Sequence, residues 1–266
     1  MKTLLHRALG ATLRATGLQY WPVHVRRGLP AGARWTLFPW TAYWRGGYEP
    51  EMERAILAWG DLRGKVCWDL GAHFGFYSIS LALRTGPTGE VVAFEPNPIS
   101  YARLERHRRM NCLTWLKSFE AGCSDSAGAA AFYTYGDLET TTTHLPYDGE
   151  SPDASTQPIS IRLMKLDDLV GSGQIRSPHF VKIDVEGHGH HALRGAIATI
   201  RRSRPVILMG FHSPQEVAGT EMLLQPLGYR FIATGAINPP DRVGADYLLQ
   251  PPPREEGDFQ LQPEAT

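Results

Sequence analysis

The sequence lacks a surplus of charge of either sign. Its 266 residues include 27 lysines and arginines and 27 aspartates and glutamates, so the formal net charge is zero. This balance gives no global electrostatic reason to bind nucleic acid. Arg103, Arg106, Arg108 and Arg109 do cluster on one predicted helix, but their spacing favours a solvated helix face. We therefore expect no nucleic-acid partner.

Cysteine is also scarce. The three cysteines are Cys67, Cys112 and Cys123, and no pair of them has the spacing of a metal site. A small, odd number of thiols is typical of a reducing compartment rather than of a disulfide-stapled secreted domain. The composition therefore predicts a cytoplasmic protein whose strand-like cysteines are buried.

Long apolar runs are missing as well, so no segment is predicted to span a membrane. Near the start of the chain, His6, Arg7 and Arg14 interrupt any apolar core of the kind that a signal peptide needs. Residues 1–17 instead carry leucines at helical spacing, which predicts an amphipathic helix. This helix either packs on the domain or lies on a membrane surface, and the second alternative corresponds to a weak peripheral membrane contact.

What the chain does contain divides it into three predicted parts. Residues 1–50 combine the N-terminal helix with a segment rich in Trp, Tyr, Pro and Gly, which predicts an aromatic cap. Residues 51–250 form the predicted main domain, and the overall apolar content of 42% is enough for a large core. Residues 251–266 begin with three prolines and continue with polar and acidic residues, which predicts a disordered tail.

From residue 65 onward, apolar strands alternate with helices, a pattern that predicts an α/β fold with a mostly parallel sheet and helices on both faces. The predicted strands are 66–70, 91–95, 118–123, 179–184, 205–211, 229–233 and 245–249. The predicted helices are 51–59, 75–84, 98–111, 188–201 and 214–226. Residues 131–135 and 159–163 break the alternation and predict an inserted β-hairpin with a long polar loop between its strands.

A glycine turn between the first two of these strands predicts a nucleotide-cofactor pocket. Asp69 ends the first strand, Gly71 and Gly75 bracket the turn, and Glu95 ends the second strand, where a carboxylate can hold both hydroxyls of a ribose. The dinucleotide fingerprint needs further glycines at positions 73 and 76, but the chain has His73 and a phenylalanine there. The spacing therefore favours a cofactor with one ribose and no phosphates, namely S-adenosylmethionine.

Six segments of the chain resemble the FkbM family of S-adenosylmethionine-dependent methyltransferases. They are WRGGYE at 44–49, DLGAHFGFYS at 69–78, VAFEPNP at 92–98, GCSDSAG at 122–128, VKIDVEG at 181–187 and LRGA at 193–196. The resemblance covers roughly residues 40–235. It implies a Rossmann-like class I methyltransferase domain with a seven-stranded sheet whose last strand is antiparallel. It also implies methyl transfer to a hydroxyl of a sugar, glycan, polyketide or related natural product as the small-molecule or glycan acceptor.

The resemblance also assigns cofactor-binding residues. Asp69 would meet the amine of the cofactor, Glu95 its ribose, and Asp125 its adenine, although an aspartate at this position also suits a plain turn. The backbone amides after Gly71 would meet the cofactor carboxylate at the helix start. The full predicted set is Asp69, Gly71, Ala72, His73, Gly75, Phe76, Tyr77, Ser78, Glu95, Pro96 and Asp125.

Asp184, Glu186 and His212 are the predicted catalytic residues, because they follow two strands at the sheet edge where ligands of α/β folds bind. Asp184 or His212 would take the proton of the acceptor hydroxyl. The alternative role of Asp184 is to cap a helix or to orient Lys182. We predict no metal site in the triplet His188, His190 and His191, which are exposed or packed histidines in this interpretation.

The chain departs from the family pattern at two positions. Family members commonly carry glutamates where this chain has Gly189 and Gly210. The loss of both puts a carboxylate base, and a carboxylate-bound divalent metal ion, in question. It also supports a second hypothesis, in which the protein binds the cofactor but has reduced or no catalytic activity. A third hypothesis, a nicotinamide oxidoreductase, is disfavoured by the missing glycines of the turn.

Four residues outside these motifs are predicted to contact the acceptor. They are Trp44, Tyr48 and Glu49 of the cap and His144 of the long loop. Aromatic side chains stack well on sugar or polyketide faces, but they also simply fill cores. Both interpretations of these residues remain open at this point.

Overall fold

The computed structural model describes residues 12, 15–37, 41–134, 143–144, 158–236 and 238–253. Most of the predicted N-terminal helix, residues 135–142 and 145–157 around the long loop, and residues 254–266 of the predicted tail lie outside this part of the chain. Within it, no helix is both long and apolar enough to cross a membrane.

The described elements follow the predicted alternation closely. The strands are β1 Pro22–His24, β2 Arg34–Thr36, β3 Val66–Leu70, β4 Glu90–Phe94, β5 Leu116–Phe119, β6 Gly122–Cys123, β7 Gly128–Thr134, β8 Thr143–His144, β9 Pro158–Met164, β10 Phe180–Ile183, β11 Val206–Gly210, β12 Arg230–Ala233 and β13 Asp246–Gln250. The α-helices are α1 Pro50–Trp59, α2 Phe76–Thr85, α3 Pro98–Met110, α4 Leu166–Gly171, α5 Gly189–Arg194, α6 Ile197–Ser203 and α7 Pro214–Leu224.

Seven strands form the main sheet in the order β12-β13-β11-β10-β3-β4-β5. Strand β13 is antiparallel to both of its neighbours, whereas the strands from β11 to β5 are all parallel to one another. All residues of β3 and β4 are buried, as expected for strands covered on both faces. One apolar core contains the cap and α2, and a second contains α5, α6 and α7 on the opposite face. The predicted α/β class and sheet are thus confirmed.

The inserted hairpin is present and belongs to a second sheet. Strands β7 and β9 pair antiparallel, and the sheet order is β6-β9-β7-β8. The predicted strand 118–123 is therefore wrong as a single element, because the main-sheet strand ends at Phe119 and the chain enters the second sheet at Gly122. A Cβ at Gly122 would lie 3.0 Å from the side chain of Leu163, so the two strands approach each other closely at this point.

The predicted helix 188–201 is also wrong as a single element, since α5 and α6 are separate helices. The break falls at Gly195, whose missing Cβ would lie 2.0 Å from the carbonyl oxygen of Ser124. The loop after β6 thus packs directly on the helix backbone at this point. Helix α4 was not predicted, because six residues are too few to show a helical pattern.

A buried histidine fastens the cap to the glycine turn. His107 of α3 is 1% exposed, and its Nδ1 lies 2.8 Å from the carbonyl oxygen of Phe74. A carbonyl only accepts, so Nδ1 carries the proton and Nε2 accepts from the hydroxyl of Thr36 in β2, at 2.8 Å. Burial lowers the pKa of His107 to about 3, against the weaker opposing effect of the bond to Phe74. The histidine is therefore neutral at physiological pH.

We expect His107→Phe to destabilise the fold by about 1–3 kcal/mol, because the buried carbonyl and hydroxyl lose their partner. The unfolded histidine binds a proton below about pH 6.5 whereas the folded one does not, so the wild type loses stability as the pH falls toward 4. This part of the acid sensitivity should disappear in the variant. Urea unfolding at pH 7 and pH 5 measures both effects, and an unchanged pH dependence would contradict the assignment of a neutral His107.

Candidate active site

The turn between β3 and α2 is built on glycines that no other residue could replace without movement. Gly71 has a φ of 81°, and a Cβ at this position would lie 1.9 Å from the carbonyl oxygen of Asp184. Gly75 precedes α2, and its Cβ would lie 2.5 Å from the side chain of Leu104. The loop that follows β10 therefore lies directly against the turn that follows β3.

Glu95 closes β4 beside this turn and is 5% exposed. Its Oε2 accepts from the backbone amide of His73 at 2.6 Å, and its Oε1 accepts from that of Asn97 at 2.8 Å. Each oxygen keeps a further lone pair for another donor. Burial raises the pKa of Glu95 to about 7, although the two amides favour the charged form. The carboxylate is thus fixed in place and able to accept two more hydrogen bonds.

The first amides of the turn are already engaged inside the protein. Those of Gly71 and Ala72 both donate to the carbonyl oxygen of Phe94 at 3.0 Å, and that of His73 donates to Glu95. The amides that point outward without a helical acceptor are those of the first turn of α2, starting at Phe76. An anion at this helix start would meet these later amides rather than the ones directly after Gly71.

His73 is a turn residue with a structural partner. Its φ is 50°, and its Nδ1 lies 3.1 Å from the hydroxyl of Tyr43 in the cap. Burial, followed by the charge of Lys182, lowers its pKa to about 4. A neutral imidazole that holds the cap agrees with the predicted turn role of this histidine.

Lys182 joins the two halves of the site. Strands β10 and β3 place it in register with Asp69, and its Nζ lies 3.7 Å from Asp69 Oδ1 and 3.4 Å from Asp184 Oδ2. It also donates to the carbonyl oxygen of Gly71 at 3.2 Å. Burial alone would lower the pKa of Lys182, but the carboxylates of Asp184 and Asp69 outweigh it and raise the pKa. A fully buried ammonium therefore compensates the buried carboxylate of Asp69 and the partly buried carboxylate of Asp184.

Asp69 is fully buried and only partly satisfied. Its Oδ2 accepts from the hydroxyl of Ser78, whereas its Oδ1 accepts no hydrogen bond from the described residues. Burial raises the pKa of Asp69, against the opposing charge of Lys182. An unsatisfied carboxylate oxygen beside the turn is a position at which a cationic ligand group fits.

The three predicted catalytic residues lie together. His212 Nε2 is 3.0 Å from Asp184 Oδ1, and His212 Nδ1 is 3.3 Å from Glu186 Oε2. Burial would lower the pKa of His212, but the bond to Asp184 and the two negative charges outweigh it and raise the pKa to about 9. For Asp184, Lys182 and His212 outweigh burial and hold the pKa well below its usual range. Two carboxylates and an imidazole also suit a divalent cation, so the metal question raised by the sequence centres on these three residues.

A carboxylate stands beside each of the two unusual glycines. Glu216 of α7 is fully buried, and it accepts from the amides of Gly189 and His212, both at 2.8 Å. A Cβ at Gly189 would lie 2.7 Å from Glu216 Oε1, and a Cβ at Gly210 would lie 3.0 Å from Asp246 Oδ1. The antiparallel register of β11 and β13 sets Asp246 opposite Gly210. The site thus keeps acidic groups near both positions, supplied by other elements.

The cap brings two of the predicted acceptor residues, Tyr48 and Glu49, against the start of α2. Tyr48 packs edge-on against Phe76 with ring centroids 5.7 Å apart, and its amide donates to Glu53 of α1 at 2.8 Å. Glu49 accepts from the hydroxyl of Tyr77 at 2.8 Å. Trp44 is partly buried, and its Nε1 has no partner among the described residues.

The remaining predicted residues lie in other parts of the fold. Asp125 follows β6, and its Oδ2 faces His191 at 3.1 Å and Arg194 at 3.0 Å. Burial alone would raise the pKa of Asp125, but these two groups outweigh it and lower the pKa to about 2. Pro96 lies in the loop before α3. His144 pairs with Tyr133 in the second sheet, and its side chain lies outside the described residues. The adenine role of Asp125 and the acceptor role of His144 therefore stay predictions.

The histidine triplet behaves as packed side chains. His188 Nε2 lies 3.1 Å from the hydroxyl of Ser124, and its ring stacks on that of His191 at 4.4 Å between centroids. Among the described residues, the only group with the ligand atoms for a metal ion is Asp184, Glu186 and His212. The triplet is not part of it.

Sequence reasoning missed three residues of the site. A lysine inside a buried strand is itself a signal, because lysines are almost never buried unless paired, and this points to Lys182. Glu216 stands three residues after Ser213, which is the spacing of a capping box, and Ser213 does accept from its amide. Asp246 had no local signal, since only the strand register brings it to the site.

Comparisons with known proteins agree with this geometry. The sequence model described as "Methyltransferase FkbM domain" matches residues 69–231. The hexuronic acid methyltransferase AglP of Haloferax volcanii is 27% identical over 143 residues, which are 54% of this chain and 54% of that protein. Methyltransferase sdnD of Sordaria araneosa is 33% identical over 79 residues, which are 29% of this chain and 30% of that protein. The matches thus span about half or less of these curated relatives.

Solved structures with a similar arrangement include the methyltransferase FkbM from Methylobacillus flagellatus. It is 20% identical with a TM-score of 0.48, and the alignment covers 70% of this chain and 43% of that one. An O-methyltransferase from Thermotoga maritima is 13% identical with a TM-score of 0.45, and the alignment covers 79% of this chain and 68% of that one. The family model alone spans more than half of the sequence, and the chain therefore belongs to the FkbM methyltransferase family.

Proposed function

We propose that this protein is an S-adenosylmethionine-dependent O-methyltransferase that acts on a hydroxyl of a sugar, glycan or related natural product. The observation that carries the proposal is Glu95, a buried carboxylate at the end of β4 whose oxygens are fixed by two backbone amides and still have lone pairs for a ribose. The family and its hexuronic acid methyltransferase relative support the reaction and the class of acceptor.

The residues present fit the cofactor. Glu95 would hold the ribose hydroxyls, the unsatisfied Oδ1 of Asp69 would face the cationic end, and the amides at the start of α2 would face the carboxylate. S-adenosylmethionine supplies a methyl group on a positively charged sulfur. A pocket that contains several carboxylates favours such a cation.

The part played by the chain is alignment and proton removal. Transfer to an alcohol needs the acceptor oxygen in line with the methyl group, and the cap and the loop after β10 would hold it there. The hydroxyl proton needs a nearby acceptor group. The acidic side chains of Glu216 and Asp246 beside Gly189 and Gly210 support an active enzyme over a protein that only binds the cofactor.

Calorimetry with S-adenosylhomocysteine and with NAD tests the cofactor. We expect the first to bind and the second not to bind. In Glu95→Gln the dissociation constant for S-adenosylhomocysteine should rise about 10- to 100-fold, since hydrogen bonds to a charged group contribute about 1.5–3 kcal/mol. The wild-type affinity should also weaken as the pH falls through about 7, where Glu95 takes up a proton, and Glu95→Gln should lack this dependence.

The matched control is Glu90→Gln at the other end of β4, where the carboxylate binds Lys117 and the amide of Arg176. Its affinity for S-adenosylhomocysteine should equal that of the wild type. No binding to the wild type, or equal losses in both variants, would contradict the proposed pocket. Methyl transfer is then measured on 4-nitrophenyl glucoside and glucuronide, with and without EDTA.

A further inference from the structure

We propose that Glu49, at the junction of the cap and α1, takes the proton from the acceptor hydroxyl. This inference rests on the methyltransferase function proposed above. The acceptor oxygen gives an electron pair to the methyl carbon, the electron pair of the carbon–sulfur bond returns to sulfur, and the hydroxyl proton passes to the Glu49 carboxylate. Protons and electrons balance without any further reactant.

The residues predicted as bases from the sequence are poorly suited to accept this proton. Both ring nitrogens of His212 face carboxylate oxygens, at 3.0 and 3.3 Å. Both nitrogens are therefore occupied by carboxylates of the protein itself, and neither faces the acceptor. Asp184 in turn faces His212 and the ammonium of Lys182, two cations that stabilise its charged form. A base held in this way has little affinity for another proton.

Glu49 lies on the other side of the same site. Its Oε2 accepts from the hydroxyl of Tyr77, and the ring of Tyr77 lies against the ammonium of Lys182, with 5.1 Å between Nζ and the ring centroid. Lys182 contacts Asp184 in turn. The chain of contacts connects a carboxylate of the cap to the carboxyl edge of the sheet, where an acceptor would meet the cofactor.

The backbone at Glu49 is unusual as well. Its φ is 49° and its ψ is 70°, in the left-handed region that non-glycine residues seldom adopt. Such strain persists where the surroundings fix it, and it is often found at active sites. Here the surroundings are the bond to Tyr77 and the bonds of Glu53, one turn later, to the amides of Tyr48 and Leu29.

The electrostatic surroundings suit a proton acceptor. Burial raises the pKa of Glu49, and the negative charge of Asp184 raises it further. The charge of Lys182 and the hydrogen bonds from Tyr77 and Tyr48 oppose this but do not cancel it. A general base works best when its pKa lies closer to the operating pH than that of an ordinary carboxylate.

A carboxylate on β13 responds to the charge of Glu49. Asp246 of β13 has its own pKa raised to about 6, by burial first and by Glu49 next. The negative charge of Glu49 therefore makes the Asp246 carboxyl keep its proton more readily. The half-buried Glu49 remains accessible to a ligand.

The test compares Glu49→Gln with Glu51→Gln, a neighbouring glutamate of α1 that pairs with Arg54 on the surface. With 4-nitrophenyl glucoside as the acceptor, kcat should fall about 100-fold or more in Glu49→Gln, with KM and the affinity for S-adenosylhomocysteine unchanged. Wild-type kcat should rise with pH up to a break above the ordinary glutamate pKa of 4.5, and Glu49→Gln should lack this break. Glu51→Gln should resemble the wild type in every respect.

A second measurement does not depend on the acceptor. In protein labelled with carbon-13 at the glutamate carboxyls, the resonance that is missing from Glu49→Gln should titrate above 4.5. A midpoint at or below this value, or a Glu49→Gln variant that keeps more than a tenth of wild-type kcat, would overturn the inference. Either result leaves the proposed function intact, whereas failure of the wild type to bind S-adenosylhomocysteine would remove the function itself.

Discussion

Replacing Lys182 with methionine is expected to destabilise the fold by about 3–5 kcal/mol, the usual effect of removing one partner from a buried ion pair. The side chain is 3% exposed and lies between Asp69, which is fully buried, and Asp184. Methionine has a similar length, so the loss comes from the charge rather than from a cavity. The free energy of unfolding from urea titrations at pH 7 gives the effect directly.

The pH dependence identifies the cause. Without the ammonium, Asp69 keeps its proton in the folded state to a higher pH than in the unfolded chain, where the ordinary pKa is 3.8, whereas Asp184 still faces His212. The folded state then binds more protons, so the stability of Lys182→Met should fall as the pH rises, and its deficit should be smaller at pH 5 than at pH 7. The control is Lys117→Met, which removes a half-exposed partner of Glu90 and should cost at most about 1 kcal/mol. Equal losses in the two variants would contradict the assigned role.

Gly71→Ala should destabilise the protein by about 2–5 kcal/mol, because the left-handed backbone conformation costs about 1–2 kcal/mol and a steric clash costs about 1–3 kcal/mol. The clash is with the carbonyl oxygen of Asp184, which would lie 1.9 Å from the added methyl carbon. Since the loop after β10 must then move away from the glycine turn, affinity for S-adenosylhomocysteine should fall together with stability. Thermal unfolding and calorimetry measure the two effects.

Gly173 offers a matched control for the backbone alone. Its φ is 71°, close to the 81° of Gly71, and a Cβ there would have nothing within 4 Å. Gly173→Ala should therefore show only the smaller cost of the left-handed conformation and no loss of affinity. If both variants lost the same stability, the contact between the two loops would not be the reason that position 71 needs glycine.

The elements that were predicted well are those whose residue pattern can be recognised within a single segment of the sequence. The apolar runs that became β3, β4, β10 and β11 indicate buried strands without reference to any other part of the chain. The division of 188–201 into two helices was missed because the contacts at the break come from distant parts of the chain: the Ser124 carbonyl lies against Gly195, and Asp167 accepts from the first amides of α6.

The same distinction applies to the site. Asp69 and Glu95 end strands within one strand–helix–strand unit, so their convergence follows from the order of elements. The pairing of Lys182 with Asp69 depends on the register between β10 and β3, and that of Asp246 with Gly210 depends on an antiparallel neighbour. Protonation states could not be predicted for a similar reason. The imidazolium form of His212 follows from its distances to two carboxylates of one loop, and these distances are known only from the structure.

The carboxylate of Glu216 beside Gly189 has a consequence for how relatives are compared. An acidic group that is absent from its expected column of an alignment is supplied here from 27 positions later in the chain, at 2.8 Å from the same backbone. A side chain at 189 would lie 2.7 Å from the present position of the Glu216 carboxylate, so one of the two groups would have to move to make room for the other. Homologues with glycine at the first position are expected to carry an acid at the second, and the first alignment column alone is too little to classify such proteins as inactive.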